Sequence, residues 1–444
     1  MIEWKLGVVR RIRESEESDI RGAESAEANS LDGDPIGESV AEGDCAEDVI
    51  TGESHGEVSR LQGSHEDGAR AAGRLRWADV QLADGSAAAA VYETDLYPCL
   101  AAGDWVMLNT TAETLRLGSG GVHFVHAVLP VPDNSGGYQK SLERIHVNQR
   151  IDPQGGHIMK LRYTSLQRAV LAAEEPVSPH HAFFRSEPQA LDGMPVFVGE
   201  LHSMLPAAVC MIRRLQERSG REHPCRIAYV MSDGGSLPIA FSRHAAALGK
   251  LGWLAGTITY GHAYGGDLET VNKYTALLAA KHILHADMTI VAMGPGSVGT
   301  STRLGFSGLE TGEILNAVIA LQGQPVIIPR LSTTERRERH FGISHHTLTV
   351  LRLIAQPGVL TPLPELEGGA GDRLRLQAEQ SGIALRHHLE WIKVSSAAEL
   401  ETVFHTYPLP ITSMGRGLRD DPAFFAGIEA AVSAGWSRWL TDKR

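Results

Sequence analysis

Cysteine is scarce in this chain: four residues (Cys45, Cys99, Cys210 and Cys225) in 444, none spaced as CxxC. That excludes a disulfide framework and a thiolate zinc site. Long apolar runs are missing as well. No 18-residue window is apolar and free of charge, so no membrane span is expected, and Met1-Ile2-Glu3-Trp4-Lys5 lacks the order of an export signal. A cytoplasmic protein is expected. Neither charge sign dominates the folded part. Residues 14–68 hold 17 Asp and Glu against only Arg21 and Arg60, so the net charge of −12 leaves the rest of the chain near neutral. A broadly basic nucleic-acid platform and a broadly acidic enzyme surface are both excluded.

The same stretch, 14–68, contains no aromatic residue and few large apolar ones. Burial there cannot offset the entropy of ordering, so a disordered insert is expected, with an acidic partner-binding segment as the other reading. It separates two strand-like runs, Trp4–Val9 and Leu75–Val80, and so replaces a hairpin loop. Ala87–Tyr92, Trp105–Leu108 and Val122–Leu129 continue the pattern between Asp-Gly, Ala-Gly-Asp and Gly-Ser-Gly-Gly turns. Residues 1–130 are therefore expected to form a small antiparallel β-barrel, of the OB or SH3 type. No aromatic-plus-basic stripe suits stacked bases, so a docking or structural role is favoured over oligonucleotide binding.

After Pro130–Gly137 the pattern changes to strands alternating with helices. His157–Thr164 reads as an opening strand, followed by Val196–Val198, Arg226–Met231, Trp253–Thr259, Met288–Met293 and Pro325–Pro329. Met204–Arg218, Pro238–Leu248, Leu268–His285 and Leu309–Leu321 carry apolar residues at helical spacing. Such βα repeats require a mostly parallel sheet with right-handed crossovers. Residues 131–444 are expected to form a three-layer, Rossmann-like α/β domain with a C-terminal helical extension.

In a parallel sheet the loops after the strands converge at one edge, where ligands bind. Here those loops are rich in Gly, hydroxyl, His and Asp. Gly294, Gly296, Gly299 and Thr300 follow an apolar strand, and their backbone N–H groups suit a phosphate or carboxylate; tight structural turns are the bland reading. GK[ST] is absent, and Gly294-x-Gly296-x-x-Gly299 comes late for a dinucleotide fingerprint. Asp233 and Ser236 follow a strand and open a helix, where Ser236 either binds an anion or caps. A nucleophilic role is disfavoured because G-x-S-x-G is missing around it. His262, Asp267, His345 and His346 are candidates for proton transfer, with Arg337 and Arg339 for gripping an anion. H-E-x-x-H is absent, so a metal role for His262 and Asp267 and for the cluster of Glu338, His340, His345 and His346 stays open beside a plain reading in which Ser344 caps a helix starting at His345. No motif designates a cofactor.

The segments GHAYGGDLETVN (Gly261–Asn272), GPGSVGTSTRLGFSG (Gly294–Gly308) and RERHFGISHHTLTVL (Arg337–Leu351) resemble a bacterial family known as domain of unknown function 3866. Trp4–Val9 and Leu108-Asn109-Thr110-Thr111 are similar to its opening barrel. The family pattern has Gly where this chain has Ser301, and a short loop in place of residues 14–68. The resemblance implies no activity. Two readings follow from the residues: an enzyme acting on a small anionic metabolite by His/Asp acid–base chemistry, and a non-catalytic ligand sensor whose barrel docks a partner protein.

Overall fold

The computed structural model describes residues 2–13, 75–94, 96–97, 99–115, 121–131, 155–187, 189–220 and 223–442. The expected disorder of residues 14–68 lies outside them. The chain divides into two compact units, Met1–Ile151 and Asp152–Arg444.

In the first unit β1 (Trp4–Ile12), β2 (Leu75–Leu82), β3 (Ala87–Glu93), β4 (Trp105–Asn109) and β5 (Val122–Leu129) close a barrel in the order β1-β2-β3-β5-β4. β1 and β2 pair antiparallel, so the acidic segment occupies the connection of a hairpin. Alternate residues of β2, Ala78, Val80 and Leu82, point inward with Val9, Ala90, Val106 and Leu108. The barrel is not wholly antiparallel, because β3 and β5 run parallel. β4 crosses over to pair with β1, and β5 returns beside β3 in the same direction.

The second unit opens differently from the expectation. His157–Thr164 is not a strand of the main sheet. Only β6 (Ile158–Lys160) is extended, paired with β7 (Arg168–Val170) in a separate ribbon. Leu161 and Tyr163 hold φ of +47° and +63°, which ends the strand. The main sheet has eight strands, β8 (Pro195–Gly199), β9 (Ile227–Ser232), β10 (Gly256–Tyr260), β11 (Leu268–Thr270), β12 (Met288–Met293), β13 (Gln324–Ile328), β16 (Leu360–Glu365) and β17 (His388–Lys393). Every neighbouring pair is parallel. A two-residue pairing, β14 (Leu331–Ser332) with β15 (Gly342–Ile343), lies beyond β13.

Three strands of the main sheet escaped the sequence pattern. β11 is three residues long, and β16 carries Pro362 and Pro364, which argue against a strand. β13 meets β16 in register only at Val326 and Leu360, so few ladder bonds are asked of that side. β17 lies next to it at the sheet's end.

The α-helices of five residues or more are α1 (Met204–Ser219), α2 (Arg243–Lys250), α3 (Lys273–His282), α4 (Glu310–Ala320), α5 (His345–Thr349), α6 (Gly368–Ser381), α7 (Ala397–Phe404) and α8 (Pro422–Asp442). Two of them begin later than apolar spacing suggests. Ser242 accepts from Ala245 N and starts α2, while Asn272 accepts from Tyr274 N and Thr275 N and starts α3. Alternation along the strands builds two cores. Phe197, Tyr229 and Ile290 pack with α1, α2, α7 and α8, whereas Val196, Val198, Val230 and Val291 pack with α3, α4 and α6 on the opposite face. The approach of α8 is close: a Cβ at Gly435 would sit 2.5 Å from the Phe197 ring.

The strand order is β11-β10-β9-β12-β8-β13-β16-β17. From β8 the chain steps outward through β9, β10 and β11, using α1 and α2. It then returns to lay β12 between β9 and β8 and continues through β13, β16 and β17 with helices on the other face. The loops after β8 and after β12 and β13 therefore part toward opposite faces, which opens a crevice at their carboxyl ends.

Candidate functional site

β8 and β13 end side by side, with Gly199 paired to Ile328, so the loop residues that follow meet. Arg330 donates to Glu200 Oε1 at 2.8 Å, and His346 Nδ1–H donates to the same oxygen at 2.5 Å. Burial pushes the Glu200 carboxyl up, but the His346 hydrogen bond and the Arg330 charge outweigh it and hold the group below its ordinary value. The carboxylate stem rests on Gly308, where a Cβ would stand 2.6 Å from Glu200 Cγ. Phe306 stacks flat on the His346 ring at 3.7 Å.

The chain reaches this point through a clamped helix start. Ser344 N donates to Arg330 O at 2.9 Å, Arg330 N donates to Thr347 Oγ1 at 3.0 Å, and Ser344 Oγ accepts from His346 N at 3.2 Å. Ser344 is thus the cap of α5, as its position before His345 suggests. The clamp sets three imidazoles together: ring centroids lie 4.9 Å apart for His340 and His345, 4.8 Å for His340 and His346, and 4.3 Å for His345 and His346. His340 Nδ1 bonds Ser344 Oγ at 2.8 Å, and Arg339 Nε donates to His340 Nε2 at 3.3 Å. His345 Nε2 is buried with no hydrogen-bond partner among the described residues. Burial, with neighbouring positive charge, pushes His340 down to about 3 and His345 down to about 4.

A cavity of 470 Å³ opens beside these rings, lined by Ser301, Thr302, Arg303, Arg339, His345, Leu348, Thr349 and Arg352. Among the described residues no acid stands in its wall. Among the described residues Arg303, Arg339 and Arg352 form no ion pair, whereas neighbouring arginines do: Arg337 with Glu335, Arg330 with Glu200, and Arg373 with Glu338. One wall is a helical face, since 345, 348, 349 and 352 recur at helical spacing. Past α5 the helix widens to a π-type turn, with Ala355 N bonding Val350 O at 2.9 Å. The other wall is the tip of a hairpin. Ser307 N donates to Val298 O at 2.9 Å and Val298 N to Ser307 Oγ at 3.1 Å, Thr300 N donates to Gly305 O at 2.8 Å, and Ser301 holds φ +63° at the bend.

The glycine loop thus divides. Gly299 and Thr300 belong to the hairpin and are turn residues. Gly294 and Gly296 line a smaller concavity of 140 Å³ with Glu200, His202, Ser203 and Met414. Nothing approaches within 4 Å of a Cβ placed on Gly296. The hairpin presents side chains to the larger cavity in place of the backbone cradle that the glycines suggested.

The other expected residues fall elsewhere. His262 stands at the end of β10, with β9, β12 and β8 between it and β13, a span of roughly 19 Å. Its Nδ1 accepts from Leu161 N at 3.0 Å. Asp267 is not at the carboxyl edge. β11 runs parallel to β10, so the loop must travel back along it, and Asp267 Oδ2 accepts from Thr257 N and Oγ1 at the amino end. His262 and Asp267 therefore share no site with His345 and His346. Asp233 Oδ1 accepts from the N–H groups of His262 and Ala263, which fixes that turn. Ser236 does not open a helix; it holds φ +50° after a single 3₁₀ turn. Arg337 is spent on Glu335 at 2.8 Å and so is not free for an anion. Of the residues singled out in the sequence, Arg339 and His345 reach the cavity, with His346 behind. Glu200 and Arg330 open two of the loops that follow strands, where the sequence gives them no role, while Arg303 and Arg352 were missed; the 345/348/349/352 spacing was the readable signal for Arg352.

A second imidazole pair lies under α2. His202 Nε2 bonds Ser242 Oγ at 2.9 Å, and His244 Nδ1 bonds Tyr407 OH at 2.9 Å. Ser242 is buried and caps α2, which gives it a structural duty. Burial pushes His202 down to about 3 and His244 down to about 4. Both stay neutral in the fold while the unfolded chain takes up protons below about pH 6.5, so stability is full above that value and falls as the pH drops toward 4. The expected slope is up to about 1.4 kcal/mol per pH unit for each ring. Urea unfolding at about pH 7.5 and about pH 5 should show the loss, and the double variant His202→Gln/His244→Gln should lower the slope without abolishing it, because His340 and His345 are depressed in the same way. An unchanged slope in that variant would contradict the assignment.

A family model described as protein of unknown function (DUF3866) matches residues 88–432. No curated protein and no solved structure matches the chain. The match begins within β3, so β1 and β2 lie outside it, and it includes every residue of the crevice and cavity described above. Covering most of the chain, it shows that this protein belongs to the DUF3866 family.

Proposed function

We propose that this protein binds a small phosphate- or carboxylate-bearing molecule in the cavity between the 298–307 hairpin and α5. The observation that carries the reading is the set of three guanidinium groups, Arg303, Arg339 and Arg352, without carboxylate partners around one concavity. Guanidinium forks match the oxygens of phosphate and carboxylate, and a cleft of one sign concentrates ligands of the other. Ser301, Thr302 and Thr349 add hydroxyl donors. The finer fold reading supports the location. Eight parallel strands with helices on both faces, reversing direction around β8 and β12, suit a Rossmann-like sheet whose ligands bind beyond the carboxyl ends. The barrel's 1-2-3-5-4 order suits the OB type.

Thermal unfolding with inorganic phosphate, a nucleoside diphosphate and citrate tests this reading. A ligand at about 100 times its dissociation constant adds about 2.7 kcal/mol, so the midpoint should rise by several degrees. Arg303→Ala and Arg352→Ala should each weaken binding about 10- to 100-fold, as expected for loss of a charged hydrogen bond, while folding is kept because both residues are exposed. No shift with any of the three anions would defeat the proposal.

A further inference from the structure

We propose that His340, His345 and His346 form a three-imidazole site for one divalent transition-metal ion of the zinc type, adjoining the arginine cavity. One ligand atom from each lies within 4.8 Å of the others. The outer nitrogens are already engaged as a metal site needs them. Glu200 holds His346 at Nδ1, which leaves Nε2 for an ion, and Ser344 Oγ holds His340 at Nδ1. Carboxylate and hydroxyl partners of this kind set the tautomer and orientation of metal-binding imidazoles. His345 Nε2 is the most direct sign: a buried ring nitrogen with nothing to bond among the described residues forfeits a hydrogen bond that a metal would replace.

The chemistry of the donors selects the ion. Three neutral nitrogens suit zinc, cobalt, nickel or copper and do not suit magnesium or calcium, which take oxygen ligands. Metal–nitrogen bonds of about 2.0–2.1 Å require the nitrogens to stand roughly 3.4 Å apart, so those now up to 4.8 Å apart must close by as much as about 1.4 Å. His340 Nε2 must also give up its 3.3 Å contact with Arg339, which frees that guanidinium for the cavity. Three protein ligands leave a coordination position open.

Charge links this site to the anion cavity. Glu200 is shared with Arg330, and the unpaired arginines make the surroundings unfavourable for a cation on its own. An anion that neutralises them should therefore strengthen metal binding, and by linkage the metal should strengthen anion binding by the same factor. This coupling rests on the proposed function; the cation site itself does not.

The test uses the full chain stripped with a chelator and titrated with Co²⁺, whose visible absorption reports nitrogen coordination, with and without inorganic phosphate. The expected result is one Co²⁺ per chain, competed by Zn²⁺, with affinity reduced at least tenfold in His345→Gln. That variant should remain folded by circular dichroism, because Nε2 makes no bond to lose; His340→Gln serves as the second variant. Failure to take up Co²⁺, or uptake indifferent to both substitutions, overturns the site. If phosphate still raises the thermal midpoint of the stripped protein in that case, the anion reading stands while the metal site falls. Histidine-dependent Co²⁺ uptake with no response to phosphate supports the metal site and removes the coupling.

Discussion

Replacing Glu200 by Ala is expected to destabilise the α/β unit by about 3–5 kcal/mol, the usual cost of removing one partner from a buried ion pair. Glu200 is 7% exposed, and its Oε1 receives both Arg330 and His346. Without it the Arg330 guanidinium stays largely enclosed and unpaired, and a space opens against Gly308 where the carboxylate stem lay. The thermal midpoint should fall on the order of 10 °C. Arg330→Met added to Glu200→Ala should recover much of the loss, because no buried charge then lacks a partner. If the single variant unfolds like the wild type, Glu200 does not hold the crevice together. The same substitution should free the His346 ring, so its imidazole resonances should broaden or shift while those of the His202 and His244 rings stay put.

Lys160→Met is expected to have an effect of similar size in a different place. Lys160 is fully buried, and its ammonium donates to Ala263 O at 3.0 Å and Thr270 O at 3.3 Å while standing 3.2 Å from Glu269 Oε2. All three donors are used, which ties the β6–β7 ribbon to β11 and to the loop carrying His262. Burial raises the Glu269 carboxyl above its ordinary value, although Lys160, the Gly265 N–H and the Thr259 hydroxyl all favour its charged form. Removing Lys160 raises it further. The loss of about 3–5 kcal/mol should therefore be greatest above neutral pH and shrink as the pH falls and the carboxyl takes up a proton. Urea unfolding between about pH 8 and about pH 5 measures this. The double variant Lys160→Met/Glu269→Gln should lose the pH dependence. A deficit independent of pH in Lys160→Met would mean that lost packing, and not the stranded carboxylate, is responsible.

Local pattern was sufficient for much of the architecture. Apolar runs of five or six residues between glycine-rich turns are legible as strands because a doubly covered parallel strand is buried on both faces, and Val196–Val198, Met288–Met293 and Pro325–Pro329 stand where expected. Ser344 before His345 is legible as a cap because its hydroxyl bonds a backbone group two residues on. The absence of GK[ST], H-E-x-x-H and CxxC is equally local information.

Strand order is not local, and it decided the site. Nothing in the neighbourhood of His262 or Asp267 tells that β10 stands four strands from β13, or that the loop before the parallel β11 returns Asp267 to the amino end. Crossovers are chosen by how helices and strands pack over the whole sheet, so the partner of any loop is a property of the assembled core. Glu200 and Arg330 are 130 residues apart in the chain and meet only because β8 and β13 are neighbours. Sequence alone thus determined two kinds of unit, most of the strands and the capped helix start at Ser344 and His345. Tertiary packing determined which charges were neutralised, leaving Arg303, Arg339 and Arg352 facing one cavity while Arg337 was paired to Glu335, because ion pairing depends on distances that only the folded chain sets.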